Sequence, residues 1–139
     1  MTSEHHLESF KYDENSQQVE FVETTFPAEG VECDVYNFVG DNSKDLGVIK
    51  IGRGNKTPPQ RVENGERTTE RYASGNGRLI IKKPDGTNIL YEINTTSKIP
   101  LSVDVEIGDI MQWEASPGSD LVAYEICTPP YKDGRYTNL

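Results

Sequence analysis

The sequence predicts an all-β protein whose strands form a jelly-roll barrel of two sheets. From Gln17 onward, apolar and β-branched residues alternate with polar ones in short runs, which is typical of half-buried strands. Glycine, proline, asparagine and aspartate separate the runs, as turns require. The sequence shows no amphipathic helix longer than two turns and no fixed repeat. About nine short strands favour a jelly roll, with an immunoglobulin-like sandwich as the alternative.

The N-terminal sequence predicts two strands that pair like a β-hairpin. The first strand begins at Gln17 and places Val19 and Phe21 on one face. Phe26-Pro27 interrupts it, and a second strand follows over residues 31–39.

The middle of the chain predicts a hairpin. Strands are expected at residues 46–51, after a loop, and at 67–73. Residues 78–83 follow a Gly-x-Gly turn, and Pro84-Asp85-Gly86 connects them to a strand at 88–93.

The C-terminal third predicts three more strands. Residues 99–107 are apolar at alternate positions, which predicts one face in the core and one in water. Gly108-Asp109 turns into a strand at 110–114, and residues 120–127 form the last long strand. Residues 128–136 are rich in proline and tyrosine and are expected to pack on the barrel or on a second subunit.

Length and composition predict one domain with polar ends. A chain of 139 residues buries about two thirds of its unfolded surface. Residues 1–16 show no period and are expected to be a flexible tail before a single barrel domain at 17–139. The only histidines, His5 and His6, lie in that tail. Adjacent side chains point in different directions, so the pair predicts a solvated segment rather than a metal site.

Charge and cysteine content narrow the class of protein. The net charge of −9 opposes nucleic acid and anionic membranes as partners. Cys33 and Cys127 are too few for a disulfide scaffold and are expected to be buried, small apolar residues. The N-terminus has neither the basic nor the apolar region of a signal peptide, so a cytoplasmic protein is expected.

Several motifs resemble those of the cupins. Pro58 and Pro59, followed by the turn Gly75-Asn76-Gly77, resemble the frame of the first cupin motif. Gly108-Asp109 resembles the start of the second motif, and residues 121–131 resemble the strand and proline exit of a small single-domain cupin. The resemblance implies a double-stranded β-helix jelly-roll barrel and a homodimer.

The positions that bind metal in cupins carry other residues here. Gln60-Arg61-Val62 stands where a His-x-His pair is usual, and Thr68 stands at the usual carboxylate position. No third histidine follows Pro117. A transition metal needs three or four converging imidazole, thiolate or carboxylate donors, so the resemblance, with these departures, implies no metal and no cofactor.

Strand alternation places Thr68, Glu70 and Tyr72 on one face. If that face points inward, Gln60, Glu66 and Glu70 could hold at most a hard cation such as Ca²⁺, and only weakly. The side chains expected to line a ligand site are Gln60, Val62, Thr68, Glu70, Tyr72 and Trp113.

Two functions follow from these residues. The first is a metal-free barrel that binds a small polar molecule or serves as a dimeric structural unit. The alternative is a metal-independent sugar or small-carbonyl isomerase or epimerase, in which Glu66 or Glu70 acts with Tyr72 or Tyr124. An enzyme needs an open pocket where two titratable groups converge, whereas a barrel filled by its own side chains favours the structural function.

Overall fold

The structure is a computed structural model that describes residues 7–12, 15–93, 102–132 and 134–139. Within these ranges the chain forms strands, turns and irregular segments. The first six strands are β1 (Leu7–Tyr12), β2 (Asn15–Ala28), β3 (Val31–Phe38), β4 (Asp41–Ile51), β5 (Gln60–Val62) and β6 (Arg67–Gly75). The other six are β7 (Gly77–Lys82), β8 (Asn88–Ile93), β9 (Ser102–Val105), β10 (Ile110–Ala115), β11 (Leu121–Thr128) and β12 (Tyr136–Asn138). No described segment is a helix of the length and apolarity needed to cross a bilayer.

The strands form two antiparallel sheets, and the predicted all-β jelly-roll barrel is confirmed. The larger sheet, sheet A, has the order β1-β2-β3-β4-β11-β6-β9, and the smaller, sheet B, has the order β12-β5-β10-β7-β8. Neighbours in these orders that are distant in sequence, such as β4 and β11, are what close a jelly roll.

The predicted hairpins are present, and some predicted boundaries shift. The β7–β8 pair places Ile81 opposite Ile89 around the predicted turn, and β2 pairs with β3. β4 begins at Asp41, inside the segment predicted to be a loop. Residues 7–12 form β1, although no strand was predicted there. His5 and His6 lie outside the described residues.

The predicted strand at 99–107 is shorter in the structure. Its described part, β9, ends at Val105, which is buried. Ile107, predicted to share the core face, is 59% exposed, because the chain has already left the sheet before the Gly108 turn. Residues 94–101 lie outside the described residues.

Two separate apolar cores pack against the two faces of sheet A. The inner core fills the space between the sheets and includes Ile51, Leu79, Met111, Trp113 and Leu121. The outer core lies on the opposite face and consists of Phe10, Val19, Tyr36, Phe38, Leu46 and Ile126, with Phe21, Val48 and Tyr124 beside them.

The outer core shows that the N-terminal strands curl back over sheet A. β1 is at the edge of the sheet, four positions from β11. The rings of Phe10 and Tyr124 nevertheless meet edge to face, with centroids 4.8 Å apart and planes at 88°. Sheet A is therefore covered by apolar side chains on both faces.

The turn at Gly75-Asn76-Gly77 carries the chain from sheet A into sheet B. Gly75 has φ +90°, and a Cβ atom there would lie 1.9 Å from the carbonyl oxygen of Asp120. A Cβ at Gly77 would lie 2.1 Å from the carbonyl oxygen of Glu114. Only glycine lets the backbones approach this closely.

Candidate functional site

The inner face of β6 carries the residues that the sequence singled out. Glu70 is completely buried, and Tyr72 packs against the inner core. Thr69 points the other way and donates to Asp104 Oδ1 at 2.8 Å. Thr68, Glu70 and Tyr72 therefore share the face that points into the barrel.

Glu70 belongs to a hydrogen-bonded cluster inside the barrel. The indole Nε1 of Trp113 donates to Glu70 Oε1 at 2.7 Å. Glu125 lies directly opposite Glu70 in the β6–β11 pair, and the Tyr136 hydroxyl donates to Glu125 Oε1 at 2.9 Å. The same hydroxyl is 3.1 Å from Cys127 Sγ. We call Glu70 and Glu125 the acid pair.

Glu70 and Glu125 are placed so that one proton on Glu70 can serve both carboxyl groups. Burial raises the pKa of Glu70 well above its ordinary value, and the charge of Glu125 and a hydrogen bond with it raise that pKa further, against the opposing bond from Trp113. Glu70 Oε2 is buried and receives no donor from the described residues. An acid proton on Glu70, donated to Glu125, satisfies this oxygen and avoids two like charges in a dry site.

The thiols near the acid pair are not nucleophiles. Gly47 pairs with Glu125, and a Cβ at Gly47 would lie 3.2 Å from Cys33 Sγ, so the thiol occupies the space above the glycine. Burial, followed by the charge of Glu125, raises the pKa of Cys33 to about 12. The same two causes raise the pKa of Cys127. Both thiols therefore remain protonated near neutral pH.

The structure does not bring the four predicted catalytic residues together. Tyr124 lies in the outer core, on the opposite face of sheet A from Glu70. Glu66 is exposed on the loop before β6. The Tyr72 hydroxyl donates to the Gly75 carbonyl oxygen at 2.8 Å. Of the four, only Glu70 belongs to the buried cluster, and only Glu70 and Tyr72 share the inward face of β6.

The predicted ligand-lining residues are also divided between different places. Gln60 Nε2 donates to Asn138 Oδ1 at 3.0 Å near the surface. Val62 and Trp113 are part of the inner core. Thr68 is buried and accepts a hydrogen bond from Arg135.

Sequence reasoning missed Glu125, Tyr136 and Arg135. Glu125 could have been found, because alternation along β11 puts it in phase with Leu121 and Ala123, which both face the inner core. Tyr136 and Arg135 lie in a segment without any period, and no sequence signal places them inside the barrel.

A cleft of about 710 Å³ opens at one end of the barrel, between the loop before β6 and the end of β9. Its lining includes Glu66, Arg67, Thr68, Asp104, Glu106 and Ile107. Arg67 Nε lies 3.2 Å from both carboxylate oxygens of Asp104, and Lys83 pairs with Glu106 at 3.2 Å. Among the described residues, Glu66 has no charged partner, so the cleft is acidic.

Arg135 supports the wall of this cleft from inside. Its side chain is 1% exposed. Nη1 donates to the Pro129 carbonyl oxygen at 2.7 Å, and Nη2 donates to the Arg67 carbonyl oxygen at 2.6 Å and to Thr68 Oγ1 at 3.0 Å. The guanidinium lies against Gly65, where a Cβ would come within 2.4 Å of Arg135 Cζ. Through Arg135, the C-terminal segment thus holds the backbone that lines the cleft.

Two antiparallel sheets that enclose one core define this chain as a double-stranded β-helix of the jelly-roll class. No protein-family model matches the sequence, and no curated protein matches it. Solved structures with 11–17% identity match the chain, and their likeness shows that it has the cupin fold.

Three of these structures illustrate the likeness. Oxalate decarboxylase of Bacillus subtilis, studied for its Mn(II) centres, has 17% identity and a TM-score of 0.66, over 83% of this chain and 30% of that one. A cupin-2 domain protein of Rhodospirillum rubrum has 11% identity and a TM-score of 0.64, over 97% and 75%. A variant of Streptomyces PAC13 with uridine has 13% identity and a TM-score of 0.59, over 84% and 83%. This chain therefore spans less than a third of the oxalate decarboxylase chain.

The side chains inside this barrel do not fit a transition metal. At the expected positions, Gln60 bonds Asn138, Val62 is aliphatic and buried, and Thr68 accepts from a guanidinium. Glu70 accepts from Trp113. No three histidine, cysteine, aspartate or glutamate side chains converge as a metal site within the described part of the chain.

We predict that the stability of the protein falls as pH rises, because of Glu70. An unfolded chain loses this proton near pH 4.5, whereas the folded state keeps it to higher pH. The folded state therefore binds more protons, and its advantage is lost as pH rises from that value through the raised pKa. In Glu70→Gln the amide still accepts from Trp113 and donates to Glu125 but does not titrate. Urea unfolding across pH should give a flatter profile than wild type and a higher free energy of unfolding under alkaline conditions.

The matched control for this prediction is Glu66→Gln, which removes an exposed carboxylate and should keep the wild-type pH profile. A Glu70→Gln profile as steep as that of wild type would contradict the shared proton.

Proposed function

We propose that the protein is a non-catalytic binding module of the cupin fold that takes a small polar molecule in the cleft at the end of the barrel. The observation that carries this proposal is that the barrel centre is already filled. Trp113 is 2% exposed and is hydrogen-bonded to the buried Glu70. The cleft, in contrast, is open, and its volume of about 710 Å³ lies within the usual range for ligand sites.

The charges of the cleft indicate which polar groups the ligand carries. Arg67 is engaged by Asp104, and Glu106 by Lys83. Glu66 remains without a charged partner among the described residues, and the net charge of −9 attracts cations over longer distances. A ligand with an amino or hydroxyl group fits this site better than an anion does.

The apolar part of the cleft indicates the rest of the ligand. Val62 and Val105 form a buried apolar surface, and Ile107, beside them, is 59% exposed. An aliphatic or ring carbon frame can pack on these side chains while its polar groups face Glu66 and Asp104.

The isomerase alternative finds little support in this geometry. Glu70 is completely buried, and Tyr124 is on the outer face of sheet A. The homodimer and the cytoplasmic location remain predictions from the sequence.

The proposal predicts saturable binding in the cleft. Two-dimensional NMR of the ¹⁵N-labelled protein would be recorded with small amines, polyols, sugars and nucleosides, the last because PAC13 was solved with uridine. Amide shifts should cluster at Glu66, Thr68 and Asp104. For an amine ligand, Glu66→Gln should weaken binding roughly two- to fivefold, the value of a surface charge contact of up to about 1 kcal/mol.

The matched control is Glu92→Gln, an exposed carboxylate on β8, which should leave the affinity unchanged. Shifts that map instead to the groove of about 470 Å³ beside Phe26, or no saturable shift with any class, would contradict the proposal.

A further inference from the structure

We propose that protonation of the acid pair controls whether β12 stays docked on the barrel. The proton between Glu70 and Glu125 keeps Glu125 in the position where it accepts the hydrogen bond from Tyr136. Loss of that proton releases the C-terminal strand. This inference concerns the barrel itself and does not depend on which molecule binds in the cleft.

β12 depends on side-chain anchors because its backbone pairing is short. Its three residues pair only with β5. Near the surface it is held by Gln60 through Asn138 and by Glu63, which accepts from the Thr137 hydroxyl. Tyr136 links β12 to the barrel interior: its side chain packs against the inner core, and its hydroxyl donates to Glu125 Oε1 at 2.9 Å.

The two members of the acid pair differ in their freedom to move. Glu70 is completely buried and is held by Trp113. Glu125 is only half-buried. When Glu70 loses its proton, two negative charges face each other in a site of low dielectric, and the repulsion is strong. Glu125 relieves it by moving toward solvent, and that movement breaks its bond to Tyr136.

Among the described residues, five other ionisable groups surround the acid pair. They are Cys33 on β3, Asp45 on β4, Cys127 on β11, and Arg135 and Tyr136 in the C-terminal segment. Burial raises the pKa of both thiols and of the tyrosine hydroxyl, so these three stay protonated near neutral pH. Asp45, whose pKa is also raised by burial, accepts from the Tyr131 amide at 3.1 Å and needs a control of its own.

Release of β12 would also affect the cleft, because Arg135 lies next to this strand. Arg135 precedes Tyr136 directly and holds the Arg67 carbonyl oxygen and the Thr68 hydroxyl at the cleft wall. Proton loss deep in the barrel would therefore loosen the wall of the surface cleft.

Hydrogen–deuterium exchange of the C-terminal peptide tests the proposal. Rates are corrected for intrinsic exchange and compared between mildly acidic pH and an alkaline pH at which the wild-type stability profile has fallen. The β7–β8 hairpin serves as an internal reference. In the wild-type protein, protection of β12 should fall about tenfold or more while the hairpin stays protected. Glu70→Gln should abolish that fall. Tyr136→Phe should give low protection at both pH values and no further fall, while its overall stability still depends on pH through Glu70.

The proposal would be overturned if β12 protection still fell with pH in Glu70→Gln or in Tyr136→Phe as it does in wild type. It would also be overturned if the β7–β8 hairpin lost protection in parallel with β12, because that result would mean global unfolding. Loss of the fall in Asp45→Asn would assign the release to Asp45 instead.

Discussion

Arg135→Met should lower the free energy of unfolding by roughly 3 kcal/mol or more. The guanidinium is buried and donates to the Pro129 and Arg67 carbonyl oxygens and to Thr68 Oγ1, with a longer bond to the Thr128 carbonyl oxygen at 3.3 Å. A methionine fills a similar volume but leaves these acceptors without a donor. Each buried acceptor that loses its partner costs about 1–3 kcal/mol. Urea unfolding monitored by the fluorescence of Trp113 measures the loss.

Two variants separate this effect from a general loss of positive charge. Arg135→Lys keeps the charge but lacks the planar fork, so it should recover only part of the stability. Arg53→Met removes an arginine whose side chain is 68% exposed and pairs with Asp120 at 3.7 Å, and it should change stability by no more than about 0.5 kcal/mol. If Arg135→Met were as stable as Arg53→Met, the hydrogen bonds of Arg135 would not stabilise the cleft wall.

Gly75→Ala should be equally severe, with a loss of roughly 3 kcal/mol or more. The added methyl group would lie 1.9 Å from the Asp120 carbonyl oxygen, at a backbone φ of +90°. The backbones of residue 75 and Asp120 are both held in place by strand pairing, so moving either one apart costs free energy. Thermal or urea unfolding of the variant gives the loss directly.

Gly86 offers a matched control, because its φ is +92° and no atom lies within 4 Å of the added Cβ. Gly86→Ala therefore carries only the strain of a left-handed residue, about 1–2 kcal/mol. The difference between the two variants measures the close approach at the sheet-to-sheet turn. Equal losses would show that the backbones at Gly75 are free to separate.

Much of the fold could be predicted because its signals are local. The Pro84-Asp85-Gly86 turn fixes a hairpin without help from the rest of the chain, and alternation predicts the inward face of β6. β5 and β12 could not be predicted, since each has three residues and only tertiary pairing makes them strands. Ile107 continues the apolar alternation past the point where the strand ends, because sequence period does not show where a turn begins.

The candidate site could be predicted only in part, for the same reason. Spacing from the Gly-x-Gly turn put the usual carboxylate position at Thr68, whereas the carboxyl group inside the barrel belongs to Glu70, two residues further along the same face. Its partners, Trp113 on β10 and Glu125 on β11, come from other strands. Alternation tells which way a side chain points, but only the pairing of distant strands tells which side chain it meets.

The position of β11 in the middle of sheet A has a consequence for synthesis on the ribosome. β1 to β4 form consecutive hairpins from local contacts, but β4 finds its second neighbour only in β11, which begins at Leu121. Pairing between segments so distant in sequence is slow. Until β11 has left the exit tunnel, the growing chain carries an unpaired β4 edge and an uncovered apolar face, and at that stage a chaperone would protect it most from aggregation.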